Sequence, residues 1–167
     1  MKKLKIVIIV ISMIILIPVI CSKKNTDYKP VKNKITSEEL DRIEIETGEY
    51  LFQDFDSYII DFNNNTFTHE DYSYDKKKVT YFSDECKQKF IYYANIYKIF
   101  SWKKSYKPKN EVSDGGYTHF IIIYNDGLQY EIWCSNAYPV TYDEVWEKFL
   151  ELFGDYMIKE NDYEKTT

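Results

Sequence analysis

The stretch from Tyr117 to Ser135 reads YTHFIIIYNDGLQYEIWCS, and the fold turns on it. Tyr117 to Tyr124 is dense in β-branched and aromatic side chains, which predicts a strand; its FIII run points to a central position with both faces covered. Asn125-Asp126-Gly127 is turn chemistry that closes a hairpin into Leu128 to Ser135. With a three-residue loop, Phe120, Ile122 and Tyr124 share a face with Leu128, Tyr130 and Ile132, and His119 stands opposite Trp133. A two-residue Asp-Gly loop shifts the partners by one and sets His119 opposite Cys134. The first register gathers the apolar residues and leaves Gln129 and Glu131 on the other face, so it is preferred. A His–Cys nucleophile pair loses its support with that choice.

Upstream, Thr36-Ser37-Glu38-Glu39 has the form of a capping box for a short helical turn. The alternation of Arg42-Ile43-Glu44-Ile45-Glu46 fits a half-buried strand that Gly48 breaks. Ser57 to Phe62 and Thr66 to Glu70 are strands joined by the Asn63-Asn64-Asn65 turn, and Lys78 to Phe82 is a fourth. Ser83 is an N-cap, with Asp84 and Glu85 in the first turn of a helix reaching about Phe100. Cys86, Phe90, Tyr93, Tyr97 and Phe100 form its apolar stripe. Trp102, Tyr106 and Pro108 lie in a loop, and Ser113-Asp114-Gly115-Gly116 is a turn. Downstream of the hairpin, Thr141-Tyr142-Asp143-Glu144 is a second capping box. Its helix reaches about Phe153 with Val145, Phe149 and Leu152 on one face, and Gly154 is the C′ residue. The expected fold is α+β over residues 35–157: an antiparallel sheet of about five or six strands packed by two helices, in the order β-β-β-β-α-β-β-α. Residues 158–167 read as a charged, loosely ordered tail.

The N-terminus supplies an address. Met1-Lys2-Lys3-Leu4-Lys5 is basic, and the uncharged run Ile6 to Ile20 spans about 22 Å as a helix, short of the roughly 30 Å hydrocarbon core. Pro18 interrupts it and Cys21 follows where it stops. Residues 1–21 therefore read as an export signal ending in a lipidation cysteine, Cys21, as an uncleaved signal anchor, or as the leader of a secreted form. All three expect residues 22–167 on the outer side of the cytoplasmic membrane. Residues 22–34, SKKNTDYKPVKNK, read as a flexible basic stalk. Cys86 and Cys134 then remain as an even pair, able to form a disulfide in an oxidising space or to stay as two buried thiols.

Charge removes several function classes. The 167 residues carry 22 basic and 27 acidic side chains, a net charge of −5. Without Lys2, Lys3 and Lys5 the balance is 19 against 27, or −8, which argues against nucleic acid as a partner. Arg42 is the sole arginine, so guanidinium clamps on phosphate are nearly excluded. Glycine-rich phosphate loops, the GxSxG nucleophile motif, CxxC pairs and HExxH are all absent, so neither metal nor cofactor is expected. The 17 Tyr accompany a composition rich in Lys, Ile and Asn with only Ala94 and Ala137, the mark of AT-rich codons.

The ordered set Ser101-Trp102, Tyr106, Asp114-Gly115, Asn125-Asp126-Gly127 and Ser135-Asn136-Ala137-Tyr138-Pro139 is the distinctive part of the chain. Over roughly residues 57–153 it resembles an uncharacterised domain that recurs in exported and lipid-anchored proteins of low-GC Gram-positive bacteria. The resemblance implies an architecture and an address but no activity. Physically, the Asn136–Pro139 turn beside Trp102, Tyr106 and Trp133 suits ring-stacking on sugars or contacts to aromatic peptides. This makes Trp102, Tyr106, Trp133, Asn136 and Tyr138 the candidate ligand-binding residues. The commoner arrangement for such a segment is structural: Asn136 caps the turn, Tyr138 packs on the core and Pro139 ends the strand. The expectation is a membrane-tethered, non-enzymatic interaction domain for an envelope component, a glycan or a protein. A small wall-directed hydrolase using acids such as Asp114 and Asp126, or pairs such as Asp54/Asp56 and Glu70/Asp71, is the alternative. An immunity or inhibitor protein against a secreted toxin is a third.

Overall fold

The computed structural model describes residues 34–49, 54–110, 112, 115–159 and 162. The readings of residues 1–21 and of most of the stalk lie outside them. Among the described residues seven strands form one mixed sheet: β1 (Leu40–Glu49), β2 (Asp54–Asp61), β3 (Thr66–Asp71), β4 (Lys76–Tyr81), β5 (Ser105–Tyr106), β6 (Gly116–Tyr124) and β7 (Gln129–Ser135). Helices α1 (Asp84–Ile96) and α2 (Tyr142–Phe153) follow β4 and β7. The sheet order is β4-β3-β2-β1-β6-β7-β5. β1 to β4 form an antiparallel meander, α1 carries the chain back from the β4 edge, and β6–β7 add to the free side of β1.

The fold is thus α+β with one strand more than expected. Ser105–Tyr106 pairs in parallel with Trp133 and Cys134, which makes the sheet mixed rather than antiparallel. Two residues bounded by Lys103-Lys104 and Lys107-Pro108 leave no alternation from which to read a strand. The β6–β7 register is the three-residue one: His119 pairs with Trp133, Phe120 with Ile132 and Ile122 with Tyr130. The Gly127 N–H donates to Tyr124 O at 2.8 Å across the loop.

Both helices cover one face. Ile43, Ile45 and Phe120 of the sheet close against Phe90, Val145 and Phe149 around a narrow apolar gap. Phe67 stacks on Phe153 at 4.9 Å, and Tyr58 meets Phe149 edge-on at 5.3 Å. Each such ring, once fully buried, contributes about 1.5–3 kcal/mol.

Several local readings change. Ser83 does cap α1, its Oγ accepting the Cys86 N–H at 3.2 Å, but α1 stops at Ile96 rather than near Phe100. Lys98 takes a left-handed conformation (φ 57°) and Ile99–Ser101 forms a separate 3-10 turn. The buried stripe of α1 is accordingly Cys86, Phe90, Ile91 and Ala94. Phe153 replaces Leu152 beneath α2, which buries Val145, Phe149 and Phe153 at strict i, i+4 spacing. Gly154 stays right-handed (φ −56°) and the chain continues into a 3-10 turn instead of a left-handed stop. The start of the charged tail is held down as well. His69 Nδ1 accepts the Ile158 N–H at 2.9 Å, and Lys78 Nζ donates to Met157 O at 2.8 Å. Because Nδ1 accepts, Nε2 of His69 bears the proton and donates to Asp56 Oδ1 at 2.9 Å.

Cys86 and Cys134 are both buried and free, so the candidate disulfide is not formed. Cys86 lies under α2, with Sγ 3.8 Å from Leu152 O, whereas Cys134 lies under the sheet edge beside β5. Burial pushes the Cys134 thiol up to about 12 and raises Cys86 as well. The neutral Cys134 thiol therefore adds stability that is fully present below about pH 9 and is lost as the pH rises toward 12. Native alkylation of Cys134 at pH 8 should run at least a hundredfold slower than in denaturant, since thiolate is the reactive form. Peptide mapping after iodoacetamide pulses measures this; comparable rates in the two states would mean the thiol is not buried.

Candidate functional site

Alternation along β7 divides its side chains. Ile132 and Cys134 enter the core, while Glu131, Trp133 and Ser135 point to the face opposite the helices. Register brings neighbours alongside on that face. Glu46 of β1 pairs with His119 of β6, which pairs with Trp133, and Glu44 leads through Ile121 to Glu131.

His119 is buried there, 5% exposed, as is Ser57 across Glu46. Its imidazole stacks on Trp133 with ring centroids 3.6 Å apart and planes 13° from parallel. Nδ1 lies 3.3 Å from Glu46 Oε2, and Nε2 lies 3.6 Å from Glu131 Oε2, too long for a hydrogen bond. Nε2 is the buried side-chain polar atom without a hydrogen-bond partner among the described residues. Trp133 itself remains 43% exposed. With one ring face on His119, its other surface is free for a ligand.

Two further rings extend the patch. Tyr117 lies 6.5 Å from Trp133, and Phe55 lies 6.1 Å from Tyr117. Gly48 is the residue paired with both Phe55 and Tyr117, so no side chain stands between those rings. At the other end Ser135 pairs with Tyr117 and borders an open cleft of about 610 Å3. Lys107, Lys109, Asn110 and Asn136 line the cleft with Ser135. Asn136 is fixed there by a left-handed backbone (φ 51°) and by its N–H donating to Gly116 O at 3.1 Å.

The five candidate residues do not converge. Trp102 is 5% exposed on the helix side, meeting Phe120 edge-on at 5.4 Å. Its Nε1 donates to Thr141 Oγ1 at 3.2 Å, and Thr141 in turn donates to Tyr97 O at 2.9 Å. That is why Thr141 does not form the expected side-chain cap on α2. Tyr106 is half-buried, its hydroxyl accepting the Lys103 N–H at 2.8 Å. Tyr138 is 39% exposed but lies 4.3 Å from Tyr142, again on the helix side. Burial pushes the Tyr142 phenol up to about 12, and its hydroxyl pairs with Thr118 at 2.8 Å. Only Trp133 and Asn136 stand along the patch just described.

The acids of the alternative reading fall elsewhere. Asp126 Oδ1 accepts the Leu128 N–H at 3.1 Å inside the exposed hairpin turn, and Asp114 lies outside the described residues. The side chain of Asp54 also lies outside them, while Asp56 is bound to His69. Glu70 and Asp71 are consecutive on β3 and so point to opposite faces. Lys77 and then the Tyr72 hydroxyl hold the Glu70 carboxyl below its usual range, which keeps it ionised. Among the described residues no cluster of three His, Cys, Asp or Glu could hold a metal ion.

Glu46, His119, Tyr117 and the lysine pair were not chosen from the sequence as site residues. The signal lay in the pairing itself: the alternation of Arg42–Glu46 and the preferred hairpin register already put Glu131, Trp133 and His119 on a shared face. Compared with known proteins, the chain matches no family model and no curated protein.

Proposed function

We propose that this chain is a membrane-tethered extracytoplasmic interaction domain, non-enzymatic, that holds an envelope glycan on the sheet face opposite its helices. One observation carries the reading: Trp133 presents an exposed ring backed by His119, with Glu46 and Glu131 beside it. A flat ring with flanking carboxylates suits a sugar, whose C–H face stacks while its hydroxyls donate to the acids. The partnerless His119 Nε2 adds a polar atom that a bound hydroxyl would satisfy. The basic start, the Ile6–Ile20 run and Cys21 support delivery to the outer membrane face. Neither the hydrolase nor the inhibitor reading has a comparable arrangement in its favour.

Calorimetric titration of the full chain in a polyoxyethylene detergent with solubilised wall-glycan fragments tests this. Trp133→Ala should weaken binding at least tenfold while leaving the melting temperature within a few degrees, because the ring is half exposed. Equal binding by the variant, or no binding by the parent chain, overturns the glycan reading. Saturable binding of an envelope protein instead would replace the glycan as the ligand class.

A further inference from the structure

We infer that the cleft between the Lys107–Asn110 segment and Ser135-Asn136 is an oxyanion site that takes a phosphate or carboxylate group. The chain as a whole is acidic, yet residues 102–110, WKKSYKPKN, hold four lysines and no acid. Lys104 is engaged over the Tyr130 ring at 5.7 Å. Lys107 and Lys109 instead line the cleft, and neither has a carboxylate partner among the described residues.

The backbone explains why both point to one place. Tyr106 pairs with Cys134, so the next residue, Lys107, runs alongside Ser135. Pro108 fixes its own φ and keeps Lys107 extended, which separates the two lysines by a stiff single residue. Facing them, the Ser135 hydroxyl and the Asn136 amide supply neutral donors. Asn136 is seated closely: a Cβ on Gly115 would fall 1.8 Å from its Oδ1, so only glycine leaves room for the amide. Two ammonium groups with neutral donors opposite make a point-charge anion site of the kind lysine forms, without the bidentate geometry of arginine. The cleft, at about 610 Å3, has room for an anion carried on a larger molecule. This inference stands apart from the glycan reading, because it rests on charge and not on Trp133.

The test is a titration of the 15N-labelled full chain, in the same nonionic detergent, with inorganic phosphate and separately with sodium acetate. Expected are saturable amide shifts centred on Lys107, Lys109, Asn110, Ser135 and Asn136, weakening as chloride rises. Tighter phosphate binding assigns a phosphoryl group, and tighter acetate binding assigns a carboxylate. The double variant K107Q/K109Q, which keeps chain length and removes charge, should weaken the anion at least tenfold. Asn136→Gly, which keeps the left-handed backbone and removes the amide, should weaken it severalfold. Trp133→Ala should leave anion binding intact, so failure here and failure of the glycan reading are separable. Shifts that never saturate, that spread over all lysines alike, or that persist unchanged in K107Q/K109Q overturn the site.

Discussion

Trp102→Ala is expected to lower the unfolding free energy by about 3–5 kcal/mol, the range for truncating a buried aromatic ring to alanine. The ring sits against Phe120 and Tyr142, and its backbone carbonyl accepts the Tyr130 hydroxyl at 2.6 Å. Removing it opens a cavity where the 3-10 turn after α1 meets the start of α2, and it strips Thr141 Oγ1 of its donor. The loss should appear in denaturant melts of the full chain as a lower midpoint with an unchanged slope, and as a drop in Tm on the order of 10–20 °C. Trp102→Phe separates the two causes. It keeps most of the ring and drops only the Nε1 bond, so it should cost about 1–2 kcal/mol. Were Trp102→Ala instead to abolish glycan binding at an unchanged Tm, the residue would belong to a ligand face after all.

Trp102 and Trp133 show what a one-dimensional reading can and cannot resolve. Both sit in the same distinctive motif, and composition alone treats them as equivalent stacking platforms. Trp133 lies within a hairpin whose loop length and alternation fix its face, so its outward position follows once the register is known. Trp102 lies in irregular chain after a helix, where no period specifies a direction. Its burial depends on Lys98 adopting a left-handed conformation and turning Ile99–Ser101 back onto the core. A lysine is not the residue that announces such a turn; glycine or asparagine would be. The same limit hid the edge strand β5, whose two residues pair only because β7 is already in place.

The opposite face illustrates the complementary point. The half-buried Ile121 and Ile123 satisfy the apolar FIII run, and β6 is indeed interior, between β1 and β7. Both helices nevertheless lie on the other side. The acids Glu44, Glu46 and Glu131 on neighbouring strands keep this face polar enough to go without a helix, and the register concentrates them around His119. A sequence reader sees three acids on two strands. The pairing turns them into a site.

The other large effect lies beneath α2. Phe153→Ala should destabilise by about 3–5 kcal/mol, comparable to Trp102→Ala though far from any proposed ligand. Phe153 is fully buried and meets four rings: Phe67 at 4.9 Å, Phe149 at 5.5 Å, Phe82 at 5.6 Å and Phe90 at 5.7 Å. It joins α2 to α1, to β3 and to the chain entering α1, so its loss loosens both helices rather than one. Tyr156 touches both Phe67 and Phe153, which links the same cluster to the 3-10 turn and hence to the segment held by His69. Phe153→Leu, which refills much of the volume, should recover about half of the loss. Hydrogen exchange offers the sharper readout. In Phe153→Ala, amides of α1 and α2 should lose protection by similar factors, while those of β6 and β7 follow only the global change. Loss confined to α2, with α1 unaffected, would mean that the two helices dock independently and that this ring does not couple them.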